Sequence, residues 1–470
     1  MPRSASSSRD PSLTLLFLAT ALVLVSRLPF LLPGYGADPD AWHTASACRL
    51  IAETGVYHES HSPGHPVQEW IGSLLWRGGP WALNGATAMA SALAALCFGL
   101  AFVALGGGAW SAVAALAMAF APIIYIHSVD AMDYVWALSF SMVALWLVLR
   151  DRWLGAGLAL GLAIGSRMTA GLLVFPLVLL GWTRNGWKTR PGARAGFVLV
   201  ALALGGALYI PEFAQHGTEM FALSPAPYPS ALRLAQDMTL ELWGTIGGLA
   251  LGLALLAGLA GGRGATVLRG SPGWVGCALL AVLLYVAAFL RLPDEAAYLI
   301  PVVPFVILLL ARVSRPGVFA VTGVAIVLSP FFLDLGLPEN SPLGPGEIAL
   351  PSQHPRVIVR LSEGALLVDH RQRVTGVKNG EGLLTALHEV QEPAVVVCAA
   401  WRRQLEVISH DGVPSDVRLV EYVSAREADS LRHAGSHLYY VRGSEAGSLY
   451  YEHIDLDSLG GRPLGYEPTP

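Results

Sequence analysis

The chain has 470 residues, 54% of them hydrophobic and only 14% charged, with a formal net charge of −4 and a mean hydropathy of +0.53. Soluble domains carry roughly a quarter charged residues, so this composition predicts a polytopic membrane protein. Lysine occurs only at Lys188 and Lys378, and the arginines do not cluster on one segment, which excludes the basic face of a nucleic-acid binder.

At the N-terminus, Arg3 and Arg9 precede a long apolar run with no small-residue cleavage site after it. This reads as an uncleaved first span. A crossing needs about 20 apolar residues, which predicts spans at 12–33, 83–105, 109–127, 133–149, 195–211, 241–262, 273–290, 296–311 and 317–334. The stretch 153–182 is too long for one upright helix and too short for two full ones. Basic residues decide how to divide it. With Arg3 and Arg9 cytoplasmic, four crossings bring Arg150 and Arg152 inside. The cluster Arg184, Lys188, Arg190 and Arg194 then stays inside only if 153–182 turns back near Arg167 as two short helices. Arg263, Arg269, Arg312 and Arg315 fall on the same side. The expectation is about eleven transmembrane helices, with the N-terminus cytoplasmic and the C-terminus outside. Segments 34–81, 128–132, the Arg167 apex, 212–240 and 291–295 then face outward. Arginine-rich, lysine-poor usage without an organelle signal points to a bacterial inner (plasma) membrane.

Beyond residue 335 the composition changes. Residues 336–355 are rich in Pro and Gly and read as a linker. Short apolar runs follow at 357–359, 365–368, 394–400, 417–423 and 437–441, with helical patterns at 382–390 and 425–434. That alternation predicts a small α/β domain over 356–470. The expected division is thus a membrane domain over 1–335, a linker over 336–355, and an extracytoplasmic domain over 356–470. Of the four cysteines, Cys97 and Cys277 sit in apolar runs as small hydrophobes. A Cys48–Cys398 disulfide is open to the sequence, subject to the distance that such a bond requires.

The acidic residues at membrane boundaries carry the functional reading. The stretch LPGYGADPDAW (32–42) holds Asp38 and Asp40 around Pro39, which restricts both its own and the preceding backbone. A carboxylate there can take a proton from an acceptor hydroxyl or hold a divalent cation; equally, Asp40 can simply cap the helix that begins near Ala41. Asp130 and Asp133 lie at the mouth of the fourth span, one as a cap and the other free to pair with Arg167. Arg167 interrupts an apolar stretch, and a charge inside a span usually has a partner or a task. Arg291 and Tyr298 occupy another outer boundary, and a guanidinium fork suits phosphate; Arg233 is a further phosphate candidate. In YHESHSPGHPVQEW (57–70) the histidines do not match a helix-borne metal motif, leaving His65 and Glu69 for substrate hydrogen bonding.

Several stretches in order resemble the GT-C superfamily of membrane glycosyltransferases, which includes the protein O-mannosyltransferases and the aminoarabinose transferases. RLPFLLPGYGADPDAW is similar to the family's acidic first outer loop, and SPGHPVQEW to its Pro-Gly segment before the next helix. AGLALGLAIGSRMTAGLLVFPLVLL resembles its Gly-rich [TS]-[KR] signature, and LPDEAAYLIPVVPFVILLL its Tyr-Leu-x-Pro helix. The resemblance covers about 12–335. It implies an all-α membrane fold, and a donor sugar carried on a polyprenyl phosphate. Transfer to an acceptor outside the cytoplasm (protein, glycolipid or polymer) would proceed with inversion. It puts the base at Asp38 or Asp40, the signature basic residue at Arg167, the acid opening the fourth span at Asp133 or Asp130, and phosphate stabilisation at Arg291 or Arg233. Unlike the mannosyltransferases, this loop has Pro39 between its two acids, so a divalent metal ion on Asp38 and Asp40 stays open. The competing reading is a secondary transporter or lipid flippase with an Asp/Arg-lined pathway, against which the chain shows no pair of matching halves.

Overall fold

In a computed structural model the described residues are 11–185, 191–221, 228–262, 273–336, 347–350, 357–391, 393–409, 412–442, 456–457 and 460–468. Five helical stretches are long and apolar enough to cross a membrane, and six shorter apolar helices accompany them. The chain is a polytopic helical membrane protein with a small C-terminal α/β domain. The first span is α1 (Pro11–Arg27), followed by a 3-10 turn, Leu28–Phe30. The segment 34–81, expected to face outward, is not extended: it holds α2 (Pro39–Thr54) and α3 (Pro66–Leu75). The apolar side of α2 buries Ala41, Trp42, Ala45, Cys48 and Ile51.

The centre of the bundle is α4 (Gly79–Ala104), α7 (Tyr134–Leu149), α8 (Trp153–Ser166) and α10 (Pro191–Leu208), each packed on the next through α4–α7, α7–α8 and α8–α10. Gly157, Gly161 and Gly165 recur every four residues along α8. A Cβ on each would lie 2.9 Å or less from Phe197, Leu204 and Leu208 of α10. This is the small-residue stripe that lets two helices approach closely in lipid, where packing rather than hydrophobic transfer holds them.

The stretch 153–182 divides at Arg167 as its charges require. Helix α8 ends there with Arg167 in extended backbone (φ −155°, ψ 118°), and a 3-10 segment, Met168–Leu173, leads into α9 (Val174–Asn185). The two arms fold back on each other, since Trp153 at the start of α8 lies against Gly181 of α9. The span expected at 109–127 is also broken. It comprises α5 (Ser111–Ala119) and α6 (Pro122–Ile126), because Pro122 cannot continue a helix. Helices α11 (Ile210–His216), α12 (Ala231–Gln236), α13 (Leu242–Ala260) and α14 (Gly273–Arg291) follow. The expected span 296–311 starts late: a 3-10 turn, Ala296–Leu299, precedes α15 (Val302–Val313), and α16 (Pro316–Leu328) closes the membrane part.

Most of the expected linker 336–355 lies outside the described residues, but Glu347–Leu350 within it is a strand. That strand, β2, and β1 (Asp334–Gly336) flank β3 (Val357–Arg360) in an antiparallel sheet. The tail then forms α17 (Ala365–Leu387), β4 (Ala394–Val397), α18 (Trp401–Ile408), β5 (Val417–Val420), α19 (Ala425–His433), β6 (His437–Tyr440) and β7 (Arg462–Pro463). The second sheet is all parallel in the order β5-β4-β6-β7. The run 365–368 opens a 23-residue helix rather than a strand. All four cysteines are free and buried, so the Cys48–Cys398 disulfide does not form.

Candidate active site

Asp38 sits in extended backbone as the N-cap of α2, accepting the Asp40 amide at 2.8 Å. The cap is therefore Asp38, not Asp40. Asp40 is a third exposed and lies 4.0 Å from His43. The loop before Asp38 is fixed through its carbonyls. Trp42 Nε1 donates to Gly36 O at 3.1 Å, and Asn84 Nδ2 donates to Leu31 O and Gly34 O, each at 2.9 Å. A second loop meets it directly. The Ala131 amide donates to Tyr35 O at 2.8 Å, and Gly36 packs so closely on Asp130 that an added Cβ would lie 3.2 Å from it.

That second loop carries His127, Asp130 and Asp133. Asp130 Oδ2 lies 3.0 Å from His127 Nδ1, while its other oxygen accepts the Met132 amide. Asp133 holds the N-cap position of α7, yet its side chain caps nothing. It turns instead to Arg167, whose NH1 donates to Oδ2 at 2.8 Å, and His65 Nδ1 lies 3.3 Å from the same oxygen. His65 Nδ1 also faces Ser166 O at 2.8 Å. Both neighbours only accept, so this nitrogen carries the proton; Nε2 then pairs with His61 Nε2 at 2.9 Å.

The Arg167 guanidinium lies against the rings of Tyr134, 4.0 Å away, and Tyr298, 4.7 Å away. Such aromatic faces attract a cation and hold its plane. The Tyr134 hydroxyl donates to Glu295, and its ring packs on His127 at 4.9 Å. One tyrosine thus joins two groups of charges: Asp38, His127, Asp130 and Glu295 on one side, Asp133, Arg167 and His65 on the other. Burial lifts the Asp38 carboxyl to about 6, with repulsion from Asp40 and Glu295 adding to it.

Of the residues singled out from the sequence, the structure therefore brings together Asp38, Asp130, Asp133, Arg167, His65 and Tyr298. Others stand apart. Glu69 is fully buried, but its carboxylate is committed to the 57–65 loop, accepting from Tyr57 Oη (2.5 Å), Ser60 N (2.8 Å) and His65 N (2.9 Å). Arg233 is exposed and paired with Asp237 at 2.9 Å. Arg291 is exposed at the end of α14, four residues before Glu295. Asp38 and Asp40 belong to no group of three or more metal donors among the described residues. Among the described residues, the grouping with the donor set for a divalent cation is Glu59, Glu212 and His216, whose ligand atoms lie within 4.8 Å of one another.

Five contributors escaped the sequence reading. His127 and Tyr134 flank the two acids that were noticed, and a His three residues before an Asp was the available signal. Asp369 and Arg373 of α17 come from the C-terminal domain, with no local pattern to mark them. Asp369 lies within electrostatic reach of Asp38, Asp130 and His127, and burial pushes its carboxyl up to about 7. Arg27, buried between Phe120 and Tyr125 and donating to Ser128 Oγ at 3.0 Å, ties the end of α1 to the same loop from below.

No protein-family model and no curated protein matches the chain. Among solved structures it is similar to ArnT from Cupriavidus metallidurans in the apo state, with 18% identity and a TM-score of 0.45 over 66% of this chain and 59% of that one. It is similar also to the same protein bound to undecaprenyl phosphate, with 18% identity and a TM-score of 0.45 over 68% of this chain and 60% of that one. The chain thus spans about 60% of the length of these neighbours, which are aminoarabinose transferases of the GT-C superfamily.

Proposed function

We propose that this protein is an inverting glycosyltransferase that moves a sugar from a polyprenyl-phosphate donor to an acceptor outside the cytoplasm, with Asp38 as general base. The observation that carries it is the pairing of two unlike environments around Tyr134. On one side is a half-buried carboxylate whose affinity for protons is raised; on the other is a guanidinium held rigidly at the break between two membrane helices. Asp38 is favoured over Asp40 because Asp38 faces His127 and Glu295, whereas Asp40 faces His43 and solvent.

The chemistry follows from these groups. Asp38 takes the proton of the acceptor hydroxyl as its oxygen attacks the anomeric carbon, and the bond to the lipid phosphate breaks on the opposite face. Negative charge then grows on the phosphate. Arg167, which keeps donors beyond the one given to Asp133, can stabilise it. A groove of about 460 Å³ is lined by Ile164, Met168, Leu202, Tyr209, Phe213 and Phe221. Its apolar walls suit an isoprenoid chain. The undecaprenyl phosphate held by a structural neighbour is a ligand of this chemistry. In this reading the site lies on the outer face of a bacterial inner membrane and the N-terminus is cytoplasmic.

The test is transfer from undecaprenyl-phosphate-linked pentoses and hexoses to a membrane fraction, with Asp38→Asn and Asp40→Asn compared. Asp38→Asn should abolish transfer while Asp40→Asn retains most of it. Full activity in Asp38→Asn would overturn the assignment.

A further inference from the structure

The C-terminal domain is docked on the loop that carries Asp38, and the docking is polar at its centre. Arg373 of α17 is 1% exposed. Its NH1 donates to Phe30 O at 2.9 Å and its NH2 to Gly34 O at 3.1 Å. Phe30 ends the 3-10 turn after α1, where carbonyls lack helical partners; Gly34 lies four residues before Asp38. Gly34 O is shared with Asn84 of α4, so the loop is gripped between the membrane bundle and the tail. Gly34 adopts φ +63°, and a Cβ there would lie 2.9 Å from both Trp42 and Val377, the latter again from α17. Further contacts fix the pose. His370 packs edge-on to Phe30 at 5.4 Å, the Leu366 amide donates to Pro330 O at 3.1 Å, and Arg49 NH1 donates to Glu406 O at 2.7 Å.

We propose that the C-terminal domain completes the catalytic centre, with Arg373 as a positioning residue that sets the Asp38 loop. This rests on Asp38 being the base. A single guanidinium satisfying two carbonyls of one loop fixes both its height and its tilt, which a lysine cannot do.

The experiment uses the full chain in detergent with two variants, Arg373→Met and Asp38→Asn. Hydrogen exchange of the amides in 35–40 needs no substrate, and in Arg373→Met it should speed up at least tenfold. In transfer from undecaprenyl-phosphate-linked sugars, Arg373→Met should lower kcat at least tenfold while the Kd for undecaprenyl phosphate stays within twofold. Unchanged exchange, or a loss of undecaprenyl phosphate binding equal to the loss of rate, would overturn the role of Arg373. If Arg373→Met fails to fold, Arg373→Lys gives the same exchange readout. Full transfer by Asp38→Asn would sink the base assignment instead, and leave the exchange result to judge the positioning by itself.

Discussion

Replacing Asp38 by Asn should make the protein more stable and inactive at once, and the size of the first effect follows from the site. The carboxyl rises from its ordinary 3.8 to about 6, chiefly through burial, which corresponds to about 3 kcal/mol of penalty on the ionised form. Solvent at this half-buried position reduces that to about 1–2 kcal/mol. The sign is as follows. The folded carboxyl binds its proton more tightly than the unfolded one, so the penalty is absent below about pH 4, grows through pH 6, and is complete above it. Asparagine keeps the one hydrogen bond that matters to α2, because its Oδ1 accepts the Asp40 amide as the carboxylate does, and the two residues cap helices equally well. Asp38→Asn should therefore denature at higher temperature than the parent at pH 8 and at the same temperature at pH 4. Transfer from undecaprenyl-phosphate sugars should fall by about 10² to 10⁴. A melting temperature at pH 8 equal to or below the parent's would refute the picture of a strained carboxylate, whatever the activity. The combination of gained stability and lost function distinguishes a catalytic group from a structural one.

Activity should climb with pH through about 6, as Asp38 must be ionised to accept a proton; a rate flat from pH 5 to 8 would argue for another base. Arg167→Lys keeps a charge for Asp133 but loses the guanidinium's contact with the rings of Tyr134 and Tyr298, and should weaken undecaprenyl phosphate binding by about tenfold or more in a titration. Glu69→Gln sets an amide donor against a donor among Tyr57, Ser60 and His65. It should cost about 3 kcal/mol in a denaturation measurement, and an unchanged midpoint would show that the 57–65 loop does not need the carboxylate. Gly34→Ala forces a Cβ into a left-handed residue wedged between Trp42 and Val377. It should lower transfer more than it lowers undecaprenyl phosphate affinity, since what it displaces is the Asp38 loop.

What the sequence determined is whatever depends on transfer from water to lipid and on charge. Apolar runs of the right length marked the membrane helices, and the basic residues alone divided 153–182 at Arg167, where the backbone does break. Asp133, Arg167 and Asp38 were visible because a charge at a membrane boundary is costly and short of neutral explanations. Breaks by Pro122 and the late start of α15 were missed, since an apolar run reads the same whether or not its hydrogen bonds continue. Only the tertiary structure decided who meets whom. Glu69 looks as exposed in sequence as Asp38, yet its oxygens are consumed by its own loop, while Asp133 forgoes a helix cap to reach a guanidinium 34 residues away. Arg373 lies more than 330 residues beyond the loop it touches. No local pattern marks such a contact, because it is made by the docking of two separately patterned parts whose relative placement is fixed by shape and by the carbonyls left open at the end of α1.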